Sequence, residues 1–180
     1  MTPSSNLALV GPMGAGKSSV GRWLADRLGL AFVDADRALE QAAGASIPEL
    51  FAREGEAGFR AREAATLRTL LAGDNQLLAC GGGVVLDPAN RALLRERAYV
   101  VHLHASVEQQ LARLAGDTSR PLLAGDDRAA TLARLAAART PLYHEVADLV
   151  LDGDGLAVAE SGARLIALLQ GRWVRPQVPA

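Results

Sequence analysis

The stretch Gly11-Pro12-Met13-Gly14-Ala15-Gly16-Lys17-Ser18 limits what this chain can fold into more than any other. It fits G-x-x-x-x-G-K-[ST], the pattern of a loop that wraps a chain of phosphates. The pattern carries meaning only between a strand and a helix, and both are legible. The apolar run Leu7–Val10 reads as a buried strand, and residues 19–28 read as an amphipathic helix. Glycines let the loop curl so that backbone N–H groups converge on one anion, and the helix start adds its positive dipole end. Lys17 is the only lysine among 19 Lys and Arg residues. A chain that uses arginine everywhere else keeps a compact ammonium here, where a planar guanidinium would not fit. Lys17 is expected to reach the β- and γ-phosphates and the Ser18 hydroxyl to ligate Mg²⁺.

Composition narrows the rest. A chain of 180 residues with 49% hydrophobic content suits one domain with a full core. A net charge of −1, with both signs spread along the chain, points to neither a nucleic-acid nor a membrane partner. The single Cys80 excludes an internal disulfide framework. No apolar run approaches membrane-span length and residues 1–6 do not read as a signal peptide, so a cytoplasmic protein is expected, acting as a monomer.

Further strand candidates, at residues 31–33, 76–80, 99–103 and 148–151, alternate with helical patterns. That rhythm predicts a parallel sheet covered on both faces, with ligands outside the carboxyl ends of the strands. Asp34 and Asp36 follow the second strand two residues apart, so both carboxylates can face one site. The third and fourth strands run into Gly81 and Ala105 and supply no carboxylate for the magnesium shell, so Asp34 is the candidate, acting through water. Asp36 is left for an acceptor hydroxyl, as base or orienting group; taken alone it reads as the cap of a helix at 37–43.

A short helix at 47–53, capped by Ser46, precedes a longer one opening at Gly55 and running to about residue 72. Arg60 and Glu63 pair on one face of it. Gly81-Gly82-Gly83 offers bare backbone to a small molecule at the third strand's end. Cys80 reads as a packing residue, and His102 and His104 as strand residues, since no third ligand is near for a metal. Ser106 and Gln109 form a capping-box pattern. Residues 115–127, broken by Gly116, Pro121 and Gly125, suit a lid with Arg120 at its centre and Arg113 on its leading edge. Arg60 and Arg139 are natural bidentate clamps for an anionic acceptor, such as a carboxylate. Pro141 is expected to kink or restart the helix that begins at Arg128, and residues 171–180 are expected to be disordered.

At this point the chain resembles the shikimate kinases, over about residues 7–169. The resemblance rests on six motifs in order: the phosphate loop; Phe32-Val33-Asp34-Ala35-Asp36; Gly55-Glu56 with Phe59-Arg60 and Glu63; Gly81-Gly82-Gly83; Arg120-Pro121-Leu122-Leu123; and Arg139-Thr140-Pro141-Leu142-Tyr143. It implies an α/β P-loop NTPase fold of the nucleoside monophosphate kinase type, with a five-stranded parallel sheet in order 2-3-1-4-5. It also implies ATP-dependent phosphorylation of the shikimate 3-hydroxyl, on the route to chorismate and the aromatic amino acids. By the same resemblance Asp36, Arg60, Gly82 and Arg139 contact shikimate, and Ser18 with Asp34 form the magnesium group. Gly14, Ala15, Gly16, Lys17, Ser18, Ser19, Arg113 and Arg120 bind ATP, with Arg113 stacking on adenine; Lys17, Asp36 and Arg120 carry the catalysis. A gluconate-type kinase would share loop and lid but need other acceptor residues. A silent nucleotide-binding module would lack at least one of Lys17, Asp36 and Arg120, and all are present.

Overall fold

The computed structural model describes residues 4–117, 121–123 and 127–175. Five strands, β1 (Leu7–Val10), β2 (Ala31–Asp34), β3 (Gln76–Ala79), β4 (Tyr99–His104) and β5 (Leu149–Asp152), form one parallel sheet in the order β2-β3-β1-β4-β5. This is the expected order. All four residues of the central strand β1 are buried, which explains its unbroken apolar run: a strand covered on both faces has no polar side.

Alternation along the strands divides the core. Leu7, Leu9, Val101 and Leu103 point to one face, where α1 (Lys17–Leu28) and α7 (Val158–Leu169) bring Leu24 and Leu165. Ala8, Val10 and Val100 point to the other, under α3 (Ile47–Leu71), α4 (Pro88–Arg97) and α6 (Arg128–Val146). Each fully buried leucine contributes about 1.5–3 kcal/mol. Two smaller clusters stand apart. Leu39, Leu50 and Phe59 join α2 (Ala35–Ala43) to α3. Leu114, Leu123 and Leu132 join the end of α5 (Val107–Arg113) to α6 and to the 3-10 turn Pro121–Leu123.

Several boundaries differ from the sequence reading. The two helices expected around Gly55 are the halves of α3, which turns at Gly55 with φ 70° and ψ −177°. α6 runs unbroken through Pro141; burial of Tyr143 and Val146 beyond it offsets a proline cost of about 3 kcal/mol. Residues 171–175, read as part of a disordered tail, lie against the body. There the Trp173 indole donates to the Ser4 carbonyl at 2.7 Å and Arg175 donates to the Asn75 side chain at 2.8 Å. No helix among the described residues is long and apolar enough to cross a membrane.

Candidate active site

The phosphate loop lies at the carboxyl end of β1. Gly14 and Gly16 take φ of 77° and 88°, which non-glycine residues rarely adopt, and Gly16 is the N-cap of α1. Gly11 is held by space as well: a Cβ there would lie 2.2 Å from the Leu103 carbonyl oxygen. α1 starts two residues earlier than its amphipathic pattern suggested, so Lys17 and Ser18 sit in its first turn. The Lys17 ammonium donates to the carbonyls of Gly11 and Pro12, each at 2.8 Å, and so spans the loop's mouth.

Ser18 and Asp34, expected as a magnesium pair, meet: the hydroxyl donates to the Asp34 carboxylate at 2.6 Å. The second Asp34 oxygen accepts from the Asp36 and Arg37 amides at 3.1 and 3.2 Å. The cap of α2 is therefore Asp34, not Asp36, and the helix begins at Ala35. Relieved of capping, Asp36 faces the cleft. Its carboxylate and that of Glu63 straddle Gly81, each with an oxygen 2.8 Å from where a Gly81 Cβ would stand.

Arg60 donates to Glu63 at 2.8 Å and to Glu56 at 3.3 Å, so the expected Arg60–Glu63 pair forms. Its guanidinium lies flat on Gly83, where a Cβ would come within 2.2 Å of Nη1. The buried Nε finds no partner among the described residues. Burial pushes the Glu63 carboxyl up; the positive charge of Arg60 and its hydrogen bond oppose this, and the Asp36 charge adds to it. Arg139 enters from α6, nearly buried, and burial pulls its pKa down. Gly82, the glycine expected to touch the acceptor, has only ordinary contacts where its Cβ would be, to Gly11, Arg139 and Met13. The steric need for glycine is at its two neighbours.

These groups line one cleft of about 640 Å³. Ser18, Ser19 and Asp34 stand at one end; Asp36, Arg60, Glu63, Arg139 and the glycine turn line it; Ile47, Phe51, Phe59 and Leu122 supply apolar wall. Arg113 lies beyond the phosphate loop, donating to the carbonyls of Gly14 and Gly153 at 3.0 Å each and of Leu156 at 3.5 Å. Arg120 lies outside the described residues.

The histidines behave as strand and helix residues. His102 is buried with neither ring nitrogen partnered among the described residues, and burial, with the charges of His144, His104 and Lys17, lowers its pKa to about 4. The Cys80 thiol is buried and pushed up to about 12, which keeps it protonated and inert. Among the described residues no group of three or more His, Cys, Asp or Glu could hold a metal. A metal here would rest on hydroxyl, carboxylate, water and phosphate oxygens, which is how Mg²⁺ is usually held, and the Ser18–Asp34 pair fits it.

One cleft-side residue lacked a role in the sequence reading. Tyr143 donates its hydroxyl to the Gly82 carbonyl. The available signal was its spacing: four residues beyond Arg139, it shares that residue's helix face.

A family model described as Shikimate kinase matches residues 13–170. The chain is 55% identical over 180 residues to the shikimate kinase of Xanthomonas oryzae pv. oryzae (strain PXO99A), covering 100% of both. It is 52% identical to that of Stenotrophomonas maltophilia (strain R551-3), again covering 100% of both. Among solved structures it matches a shikimate kinase from Acinetobacter baumannii in complex with shikimate at a TM-score of 0.91 and 41% identity, over 93% of this chain and 94% of that one. Sheet order, phosphate loop and full-length similarity agree, and the chain belongs to the shikimate kinase family.

Proposed function

We propose that the chain transfers the γ-phosphoryl group of ATP to the 3-hydroxyl of shikimate, and that the residues lining the cleft divide the work by position. One observation carries this reading. A phosphate-binding loop, half-buried Arg60, buried Arg139 and the Asp36 carboxylate all line the same cleft.

ATP lies with its phosphates on the amides of Gly14, Ala15, Gly16, Lys17, Ser18 and Ser19. Lys17 turns from its own loop's carbonyls to the β- and γ-phosphates, exchanging neutral acceptors for charged ones. Ser18 and, through water, Asp34 would hold Mg²⁺, which when bound would neutralise phosphate charge. Arg113 is held by its edges, so the flat of its guanidinium is presented to adenine.

Shikimate docks opposite, its carboxylate between Arg60 and Arg139 and its ring on the Gly81–Gly83 turn. Asp36 accepts the hydroxyl proton as that oxygen bonds to the γ-phosphorus and the bond to the β-bridging oxygen breaks, releasing ADP. Arg120, carried by the 115–127 lid of this single domain, offsets the charge on the transferring group. Each group comes from one chain, so a monomer in the cytoplasm suffices.

ADP release, measured with each component omitted in turn, tests this. Release should need ATP, Mg²⁺ and shikimate, and gluconate should not replace shikimate. Asp36→Asn should lower kcat by about 10²- to 10⁴-fold. An undiminished kcat would leave Asp36 without its role.

A further inference from the structure

Tyr143 sits one turn beyond Arg139 on α6, so both side chains leave the same helix face. Its ring is buried against the His102 imidazole, with centroids 5.0 Å apart and planes inclined by 32°. That contact and the surrounding core hold the phenol in one orientation. Its hydroxyl donates to the Gly82 carbonyl and lies beside the Arg139 guanidinium, whose charge acts on it. A phenol has one proton and two lone pairs. With the proton committed to Gly82, the oxygen turns only lone pairs toward the guanidinium. Burial pushes the phenol up to about 12, so the proton stays in place at any working pH.

The two groups beside this oxygen come from distant parts of the chain. Gly82 belongs to the turn after β3, and Arg139 belongs to α6. Arg139 Nη1 lies 3.6 Å from the point a Gly82 Cβ would occupy, so turn and guanidinium are already adjacent.

We infer that Tyr143 is a positioning residue for the acceptor: one phenolic oxygen fixes the spacing between the glycine turn and the Arg139 guanidinium. It touches neither substrate. It orders one rotamer of a flexible arginine before the acceptor arrives, and pre-ordering of this kind appears as acceptor affinity. The inference rests on the proposed docking of an acceptor carboxylate at Arg139, and the experiment separates the two claims.

Y143F, R139A, R139K and the Y143F/R139A double variant of the full chain are compared by KM for shikimate, KM for ATP, kcat and thermal unfolding. Y143F keeps the ring on His102 and removes only the hydroxyl. It should raise the shikimate KM about three- to tenfold, the span of one typical hydrogen bond, and leave the ATP KM within about twofold. On the R139A background the same change should add less than about twofold, because the group it positions is gone. R139K, which lacks the planar fork, should itself show a raised shikimate KM; this arm does not depend on Y143F folding.

Equal rises in both KM values would make Tyr143 merely structural and overturn the inference. Full additivity of Y143F with R139A would overturn it too. If Y143F is silent while R139A raises the shikimate KM, the positioning role falls and the docking stands. If R139A is silent as well, both fall.

Discussion

At Gly83 a side chain is excluded by a functional group and not by the backbone. Its φ is −95°, which any residue can adopt, yet a Cβ would stand 2.2 Å from the tip of Arg60. The tip of a long side chain can move away. Gly83→Ala should therefore cost little stability and displace the guanidinium, raising the shikimate KM about tenfold, the value of one charge-assisted hydrogen bond. Steady-state kinetics beside a melting curve checks this; a large loss of Tm with normal shikimate KM would refute it. His102 makes a different prediction. Its imidazole stays neutral in the fold down to about 4, while the unfolded chain takes up that proton near 6.5. Between those values the unfolded state binds more protons, so this residue's contribution to stability falls as pH drops from 6.5 to 4, by up to about 3 kcal/mol. His102→Leu removes the titration. The stability of the wild type relative to the variant, from urea unfolding, should drop by about 2 kcal/mol between pH 7 and pH 5; a gap independent of pH would count against the buried neutral ring. At this scale the sequence was readable wherever a motif fixed spacing, as at Lys17, Ser18 and the Arg60–Glu63 pair. It misassigned the cap between Asp34 and Asp36, because both are good cap residues and only the strand's end decides which amides are left bare. Tyr143 was hidden because its partner Gly82 is 61 positions away.

Among the elements, the contact of α1 with α7 is unusually close. The Trp23 indole lies directly on Gly162, where a Cβ would stand 2.1 Å from a ring atom, and Arg27 covers the ring's other face at 3.6 Å. Gly162→Ala gains about 1 kcal/mol of helix propensity but forces a rigid ring aside, at about 1–3 kcal/mol. The expected outcome is a net loss, with Tm lower by about 2–6 °C in a thermal scan; an unchanged or higher Tm would show that the ring has room to retreat. The elements themselves were largely visible in advance, because apolar runs and caps are local signals. What escaped were joints that depend on distant partners. The pattern Ser106-x-x-Gln109 promised a reciprocal capping box, and only half of it forms. Ser106 Oγ accepts from the Gln109 amide at 3.1 Å, but the Gln109 side chain accepts from Gly155 and the Ser106 amide donates to Asp154. The loop after β5 competes for both groups, and no window around Ser106 contains it. Pro141 misled for the same reason: the burial that carries α6 past it comes from the sheet.

Taken whole, the molecule closes on itself near its termini. Trp173 packs on the cluster under α1 and α7 and reaches the Ser4 carbonyl, joining positions 169 residues apart. Trp173→Ala should cost about 2–3 kcal/mol, somewhat less than a fully buried aromatic. Urea unfolding measures it, and a loss under about 0.5 kcal/mol would mean that the contact carries no load. The expectation of a loose tail came from its prolines and polar residues, which say nothing of a single aromatic with a slot to fill. Beside the carboxyl end of β2, α2 and α3 around its turn at Gly55 keep a small core of their own, Leu39 with Leu50 and Phe59. The apolar wall that Ile47, Phe51 and Phe59 give the cleft thus rests on a small core of its own, while the phosphate loop is seated in the main core. That wall and the phosphate loop are built on separate foundations. Descent with modification can recut one without disturbing the other, and an engineer reshaping the cleft can begin at residues 35–59.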